Sequence, residues 1–448
     1  MTGTAIGNVF YREPAARLPA VDRGEGVYFW DVEGRRYLDG CSGAVVVNVG
    51  HGRQEIVDAM TAQGRRISYT HTDHFTSEAQ EEFAARVARL TPGDLNRVFP
   101  VSGGSEANET AIKLARQYHV LRGHPGKWRV IARRPSYHGS TLGALSASGH
   151  GARRRPYLPM LVDFRHIDGP YTYRCRCGGG DPACPECTGT ALERAIEDAG
   201  ADTVAAFVAE PVVGAAGGAL VAPPGYYETV REICDRHDVL FIADEVMSGV
   251  GRTGRAFGIQ HWDAQPDLLV AGKGLASGYA PLAGVAVGEH VHAMFLELGH
   301  AFVHGFTYAG HPVSCAAGVA ALDIVEREHL IERADAMGAK LGAGLAELAE
   351  RHPIVGDARG LGLLRGIELV ADRDTKEPFP RERGVAERLG ALTMERGLLV
   401  YPGFAQIDGV RGDQALIAPP LVIDDAELAE LLSMLDDSLG ALEAEVLR

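Results

Sequence analysis

The sequence has no long apolar run. Its opening stretch, MTGTAIGNVFYREPAARLPAVDRGEG, holds no apolar segment of the length a secretory signal needs. No window approaches the roughly 18 uninterrupted apolar residues of a membrane helix. Positive charge is also short, with 44 Lys and Arg against 59 Asp and Glu and a net charge of −15. Such a surface repels nucleic acid and anionic membranes, apart from a local basic patch at Arg153, Arg154 and Arg155. Cysteine is sparse and odd in number, seven in 448 residues, which argues against a disulfide framework and for a reducing, cytoplasmic compartment. Internal repeats and low-complexity tracts are missing as well.

What remains is an ordinary globular composition, 46% hydrophobic and 23% charged. The length exceeds what one core supports, so two or more structural units are expected. GVYFWDVEGRRYLDG near the start is aromatic-rich, with Glu33-Gly34 as a hairpin signal. Short apolar runs then alternate with helix-length stretches: RVFPV, WRVIA, VAAFVAE, VLFIADEV and DLLVAGKG. Runs of this kind suit parallel strands buried on both faces, the pattern of an α/β domain. From about residue 311 the texture changes. A long helical region is followed by the strand-like GLGLLRGIELV and ALIAPPLVI, and an amphipathic helix closes the chain. The expected division is residues 1–59, 60–310 and 311–448, with a cysteine-rich insertion at 171–190.

Four stretches carry chemistry. RVFPVSGGSEANETAIKLARQ runs from a strand through Ser102-Gly103-Gly104-Ser105 into a helix whose first free N–H groups, with the Ser105 hydroxyl, can seat a phosphate. A plain turn with Ser105 as cap is the alternative. The loop has neither the Walker nor the dinucleotide glycine pattern. Asp244 and Glu245 end the strand VLFIADEV, where a carboxylate is costly to bury without a partner. Lys273, set between Gly272 and Gly274, ends the strand 29 residues later. Ligands in open α/β sheets gather at the carboxyl ends of strands, so Asp244 and Lys273 would meet there. Tyr137-His138 follow a third strand and can stack on or orient a flat ring, although packing is the commoner role. Thr307, in HGFTYAGHP, is a further possible hydroxyl donor. Pyridoxal phosphate makes use of all four: a lysine for a Schiff base, an anion seat, a carboxylate for the pyridine nitrogen and a stacking aromatic. The glycines beside Lys273 would leave the lysine room to move.

These stretches, together with SYHGSTLGALSASG, AEPVVGAAGGALVAPPGYYETVREICDRHDVLFIADEVMSGVGRTG, LLVAGKGLASGYAPLAG and FTYAGHP, resemble the class III pyridoxal-phosphate aminotransferases over nearly the whole chain. The resemblance implies an α/β fold of type I: a large domain with a mainly parallel seven-stranded sheet, and a smaller α/β domain built from both termini. It implies Lys273 as the covalent attachment point, Asp244 as partner of the pyridine nitrogen, and Gly104 and Ser105 as the phosphate loop. Tyr137 would stack on one ring face and Val246 on the other, with His138 beside them. Thr307 would reach the phosphate of a neighbouring subunit, which implies a homodimer with shared sites. Glu210 would lie on the substrate side, where some members pair it with an arginine that binds the substrate carboxylate. Arg411 lies in the right region for that arginine, and a solvated loop arginine is its alternative. Many members carry glutamine where Met247 stands.

The implied reaction moves an amino group from an amine or amino acid to a 2-keto acid in two half-reactions, Tyr137, Asp244 and Lys273 surrounding the reacting group. An aminomutase, epimerase or decarboxylase on the same scaffold is the alternative. So is a binding protein that docks a partner through its cysteines. YRCRCGGGDPACPECTG places Cys175, Cys177, Cys184 and Cys187 within 13 residues, a spacing that suggests a structural zinc ion held by four thiolates. Exposed thiols are the other reading.

Overall fold

A computed structural model describes residues 8–175, 177–178 and 181–447. The first seven residues of the opening segment, Arg176, Gly179 and Gly180 of the cysteine-rich insertion, and Arg448 lie outside the described residues. The central feature is a seven-stranded sheet, numbered here along the chain: β1 (Arg97–Val101), β2 (Arg129–Arg134), β3 (Arg165–Asp168), β4 (Val204–Ala209), β5 (Leu240–Asp244), β6 (Leu268–Ala271) and β7 (Ala283–Val287). Their spatial order is β1-β7-β6-β5-β4-β2-β3. β7 runs antiparallel to both neighbours, β6 and β1. The other pairings are parallel.

The apolar runs are uninterrupted because both faces are covered. In β4, Phe207 and Ala209 enter one core cluster while Ala206 and Val208 enter the other. β5 repeats this with Phe241 and Ala243 against Leu240 and Ile242. Period-two alternation is present in space but invisible in polarity, since neither face meets water. β3 and β7 carry less of this signal. β3 reads Arg-His-Ile-Asp and lies at the sheet edge, where one side needs no apolar partner.

The two ends of the chain meet. Tyr28–Asp31 and Arg36–Asp39 form the expected hairpin, with Gly34 at φ +82° in its turn. The C-terminal strand Leu398–Leu399 pairs in parallel with Arg36–Asp39. GLGLLRGIELV is not one strand. It is the turn and second arm of an antiparallel hairpin, Val355–Leu361 with Leu364–Leu369, in a four-stranded sheet completed by Asp413–Ile417 and Tyr401–Phe404. The long helical region is two helices, Pro312–Arg327 and Leu330–Arg351, broken at His329 with φ +51°. The last helix, Asp425–Val446, starts on a capping box between Asp424 and Glu427. Among the described residues no helix is long and apolar enough to cross a membrane.

Arg252 ties these parts together. It is fully buried, and burial pulls its guanidinium down to about 9. Its guanidinium donates to Asn48 Oδ1 at 2.7 Å, Ser42 Oγ at 3.2 Å, Leu363 O at 3.3 Å and Pro419 O. One side chain thus bonds the N-terminal segment, the sheet domain and two C-terminal segments. Replacing it with methionine leaves buried oxygens without donors, at about 1–3 kcal/mol each. Arg252→Met should lower unfolding free energy by roughly 3–5 kcal/mol in chemical denaturation. A loss below about 1 kcal/mol would show that water replaces the guanidinium without penalty.

Candidate active site

Parallel register brings the candidate residues to one edge. Asp244, the last residue of β5, is paired with Val270 of β6, three residues before Lys273. The backbone N–H of Glu245 continues the ladder by donating to Val270 O at 2.8 Å. Both side chains therefore emerge at the carboxyl end of the sheet, where they line one cavity of about 190 Å³. Gly104, Ser105, Asn108, Tyr137, His138 and Gly139 line it as well, with Glu210, Ala215, Val246 and Met247.

Asp244 is only 3% exposed, and its carboxylate is held by three donors. Asn108 Nδ2 donates to Oδ2 at 2.9 Å, and His138 Nδ1 lies 2.7 Å from the same oxygen. The backbone N–H of Val246 donates to Oδ1 at 3.1 Å. With the carboxylate ionised, His138 carries its proton on Nδ1. Its Nε2 has no hydrogen-bond partner among the described residues. Oδ1 retains a lone pair for a further donor, so the carboxylate is fixed and incompletely satisfied. A ring N–H presented in the cavity is the kind of group it suits.

The phosphate-like seat forms where helix Gly104–Leu121 starts, with Gly103 as N-cap. Gly104 is required by packing, because a Cβ there would lie 2.9 Å from a Val246 methyl. Gly139 has φ +135° and would collide with Ser105 in the same way. Ser105 Oγ accepts from the backbone N–H of Ser140 at 3.1 Å, which leaves its hydroxyl proton available to donate.

Lys273 sits at φ +45°, a left-handed conformation that non-glycine residues adopt where function or packing demands it. Its glycine neighbours have different reasons. A Cβ on Gly274 would overlap Asn48 and press on Val250, so this glycine serves the close approach of the N-terminal segment. A Cβ on Gly272 would meet only ordinary contacts. Room for the lysine to move is therefore not what Gly274 supplies. Burial pulls the Lys273 ammonium down to about 8, with Glu210 and Asp244 opposing the shift. Glu210 accepts from the N–H of Tyr137 at 2.8 Å and of Gly214 at 2.9 Å, while burial raises its carboxyl above the usual range. Glu245 points away into the core, where burial raises it to about 7 and the N–H groups of Gly258 and Ile259 hold it.

Tyr137 flanks the cavity with its hydroxyl 3.0 Å from Ser140 Oγ and the Arg153 guanidinium 4.4 Å from its ring centre. Arg153, read from the sequence only as part of a surface patch, is thus tied to the site wall. Asn108 was missed. Its signal was helical spacing, since it lies four residues after Gly104 and on the same face. Two expected residues stand elsewhere. Thr307 is exposed in a turn, its carbonyl accepting from the Tyr69 hydroxyl at 3.0 Å. Arg411 is half-exposed and paired with Asp408 at 2.7 Å, outside the lining of the cavity. A loop arginine with its own carboxylate partner is the role it has here.

The depressed Lys273 value makes a testable statement about the cofactor-free chain. The neutral amine, the reactive form, grows about tenfold per pH unit up to about 8 and then levels. Labelling of Lys273 by a small aldehyde, trapped by borohydride and mapped by mass spectrometry, should follow that curve. An inflection near the ordinary lysine value of about 10.4 would overturn it.

Comparison with known proteins agrees with this geometry. Residues 11–439 match the family described as Aminotransferase class-III. An uncharacterized aminotransferase of Bacillus subtilis, YodT, is 42% identical over 96% of this chain and 97% of its own. The putrescine–pyruvate aminotransferase of Pseudomonas aeruginosa is 39% identical over 97% of this chain and 93% of its own. Among solved structures, an (S)-enantioselective omega-transaminase from Thermomicrobium roseum superposes with a TM-score of 0.88 at 41% identity, covering 96% of this chain and 94% of that one. The chain belongs to the class III aminotransferases, pyridoxal-phosphate enzymes of fold type I that transfer amino groups to keto acids.

Proposed function

We propose that this enzyme takes its amino group from an amine on a carbon chain and passes it to a small 2-keto acid such as pyruvate. The observation that carries the reading is the meeting of Lys273 and Asp244 in one cavity whose lining also includes Ala215 and Met247. Apolar lining residues suit the hydrocarbon chain of an amine donor. The Pseudomonas aeruginosa relative, named for putrescine and pyruvate, supports the same substrate classes.

The residues fit pyridoxal phosphate. Lys273 would hold it covalently, Asp244 would bind its pyridine nitrogen, and Gly104 and Ser105 would receive its phosphate. Tyr137 and Val246 would flank its two faces, and His138 and Asn108 would hold Asp244 in place. Once bound, the group supplies an electron sink for the carbanion formed when the amine-bearing carbon loses its proton. Lys273 Nζ, freed when the substrate amine takes its place on the group, would be the base that holds and returns that proton, a role suited to an amine pulled down to about 8 by burial. Asp244, held in its three-donor cradle, would accept the hydrogen bond of the group's pyridine nitrogen. Glu210, on the substrate side, is fixed by two backbone N–H groups and orients the wall that carries Tyr137. The second half-reaction runs the same steps backwards with the keto acid.

The proposal extends to a homodimer in which Thr307, exposed on one chain, completes the phosphate seat of its partner. It also places the enzyme in the cytoplasm, as the cysteine content suits, and divides the chain near residues 60 and 310.

Absorbance spectroscopy of the loaded enzyme tests the substrate assignment. The visible band should bleach on addition of a diamine or other primary amine and return with pyruvate. A band that shifts with every amine and never bleaches would reject transamination of these donors. Lys273→Ala should abolish turnover and the lysine-dependent band. Asp244→Asn should slow turnover roughly 100-fold or more, since one to three pKa units of ring-nitrogen protonation are lost. Near-normal rates in either variant would refute the corresponding role.

A further inference from the structure

We propose that Cys175, Cys177, Cys184 and Cys187 form a closed, four-thiolate zinc site that braces the wall of the active-site cavity. The inference is independent of the substrate reading.

The four Sγ atoms all lie within 4.8 Å of one another. Cys175 and Cys177 are 3.1 Å apart, Cys175 and Cys184 3.4 Å, and Cys177 and Cys187 3.4 Å. A zinc ion with Zn–S bonds of about 2.3 Å needs a tetrahedron of sulfurs with edges of about 3.8 Å. These three separations fall a few tenths of an ångström short of that edge, and no pair exceeds 4.8 Å. Small adjustments would therefore admit the ion, with four S–H bonds giving way to four Zn–S bonds and four protons released to solvent. Four protein ligands leave no open position, so the site is structural rather than catalytic.

The segment around the cysteines needs such a brace. Among the described residues from 171 to 190, only Cys184, Cys187 and Gly189 are buried. A stretch of this length without an apolar core gains its order from some other cross-link. Its two arms are locally pre-shaped. The N–H of Cys175 donates to Tyr171 O at 2.7 Å, and that of Gly178 to Cys175 O at 3.0 Å. On the second arm, Thr188 donates to Cys184 O through both its N–H and its hydroxyl. That arm then turns at Gly189, φ +86°, where a Cβ would lie 2.9 Å from Tyr226 O. The cluster thus joins an arm fixed on the helix Tyr226–His237 to an arm that leads back toward the site.

The first arm reaches the cavity wall. Tyr171 donates to Glu368 Oε2 at 2.5 Å, and Arg174 Nε donates to Glu368 Oε1 at 2.6 Å. Glu368 is fully buried and also accepts from Arg359, whose guanidinium donates to Gly217 O and Gly218 O. Tyr171 and Tyr137 pack against the same small apolar cluster, Val213, Ala216 and Leu220. A displaced cysteine knuckle would therefore loosen Tyr171 and Arg174 and, through them, the wall beside Tyr137. Lys273 and Asp244 rest on the sheet and would stay in place. These four cysteines are positioning residues for the site, not catalytic ones.

The test is elemental analysis of the full-length enzyme purified without chelator. One zinc per chain is expected, released stoichiometrically when the thiols are titrated with an organomercurial. Enzyme produced with Co²⁺ in place of zinc should show the red visible bands of a tetrahedral cobalt–thiolate centre. The double variant Cys184→Ser/Cys187→Ser should lose the metal and keep the lysine-dependent visible band. It should raise KM for the amine roughly threefold to tenfold with kcat within about twofold. Cys187→His, which can still ligate, should recover both zinc and KM. If the serine variant fails to fold, the wild-type metal count and the cobalt spectrum decide alone. Less than about one-tenth of a zinc per chain, iron in its place, or disulfides between these cysteines in the purified enzyme would overturn the site. Zinc present with KM unchanged in a folded, metal-free serine variant would overturn the brace.

Discussion

A carboxylate buried at the end of a strand governs this site. Asp244 is removed from water at the carboxyl edge of the central sheet, an environment in which an isolated anion is expensive. Three hydrogen-bond donors make it tolerable without neutralising it. Each donor fixes something else in turn. Asn108 lies one turn into the helix that begins at Gly104, so holding Asp244 also sets the distance from the carboxylate to the phosphate seat. His138 carries Tyr137 beside it and Gly139 after it, so the same contact places the stacking aromatic. Val246 follows two residues later and leaves room only for a glycine at position 104. One electrostatic requirement thereby links Asn108, His138 and Val246, and through them Gly104 and Tyr137, around one cavity.

The lysine is governed from the opposite side. Asn48 and Val250 press against Gly274, and Asn48 is itself held by the buried guanidinium of Arg252. Through Arg252 the backbone around Lys273 is linked to Ser42 and to carbonyls near the C-terminus. The left-handed backbone at Lys273 persists because this packing over-determines it. Segments from both parts of the chain flanking the central sheet thus pack around the backbone of Lys273.

The sheet strands were legible because both their faces are covered, and continuous runs such as VAAFVA leave few other structures open. The antiparallel direction of β7 was not legible, since Ala-Gly-Val-Ala-Val reads the same in either orientation. Hairpins were legible where the turn residue stood among polar neighbours, at Gly34, and hidden where it stood among leucines, at Gly362 between Leu361 and Leu364. In the site, Lys273 and Asp244 stood out because charge directly after an apolar strand is conspicuous. Asn108 did not, because an uncharged polar residue inside a helix looks like surface until its partner is known. Arg411 misled for a related reason. Its charge marked it, while Asp408, three residues earlier, already provided its partner. Arg153 illustrates the converse: in sequence it belongs to a basic run, and in space its planar guanidinium lies against an aromatic ring of the cavity.

These contrasts separate two kinds of control. The groups proposed to move protons and bind the cofactor sit at the ends of buried strands and at the start of a long helix. Two segments outside the cavity lining pack against residues that do flank it: the loop at 405–412 and the cysteine-rich insertion. Gly151, two residues before Arg153, has Gly409 against it so closely that a Cβ would lie 2.9 Å from its Cα. The insertion reaches the same wall through Tyr171 and the buried Glu368. Substitutions in these segments can reshape the space around an amine without disturbing the carboxylate and lysine that act on it. A fold arranged this way can change its donor while conserving its chemistry, provided something other than an apolar core keeps the variable segments in shape. Four converging thiols are a suitable means, because a metal cross-link orders a short loop while asking little of the residues between its ligands.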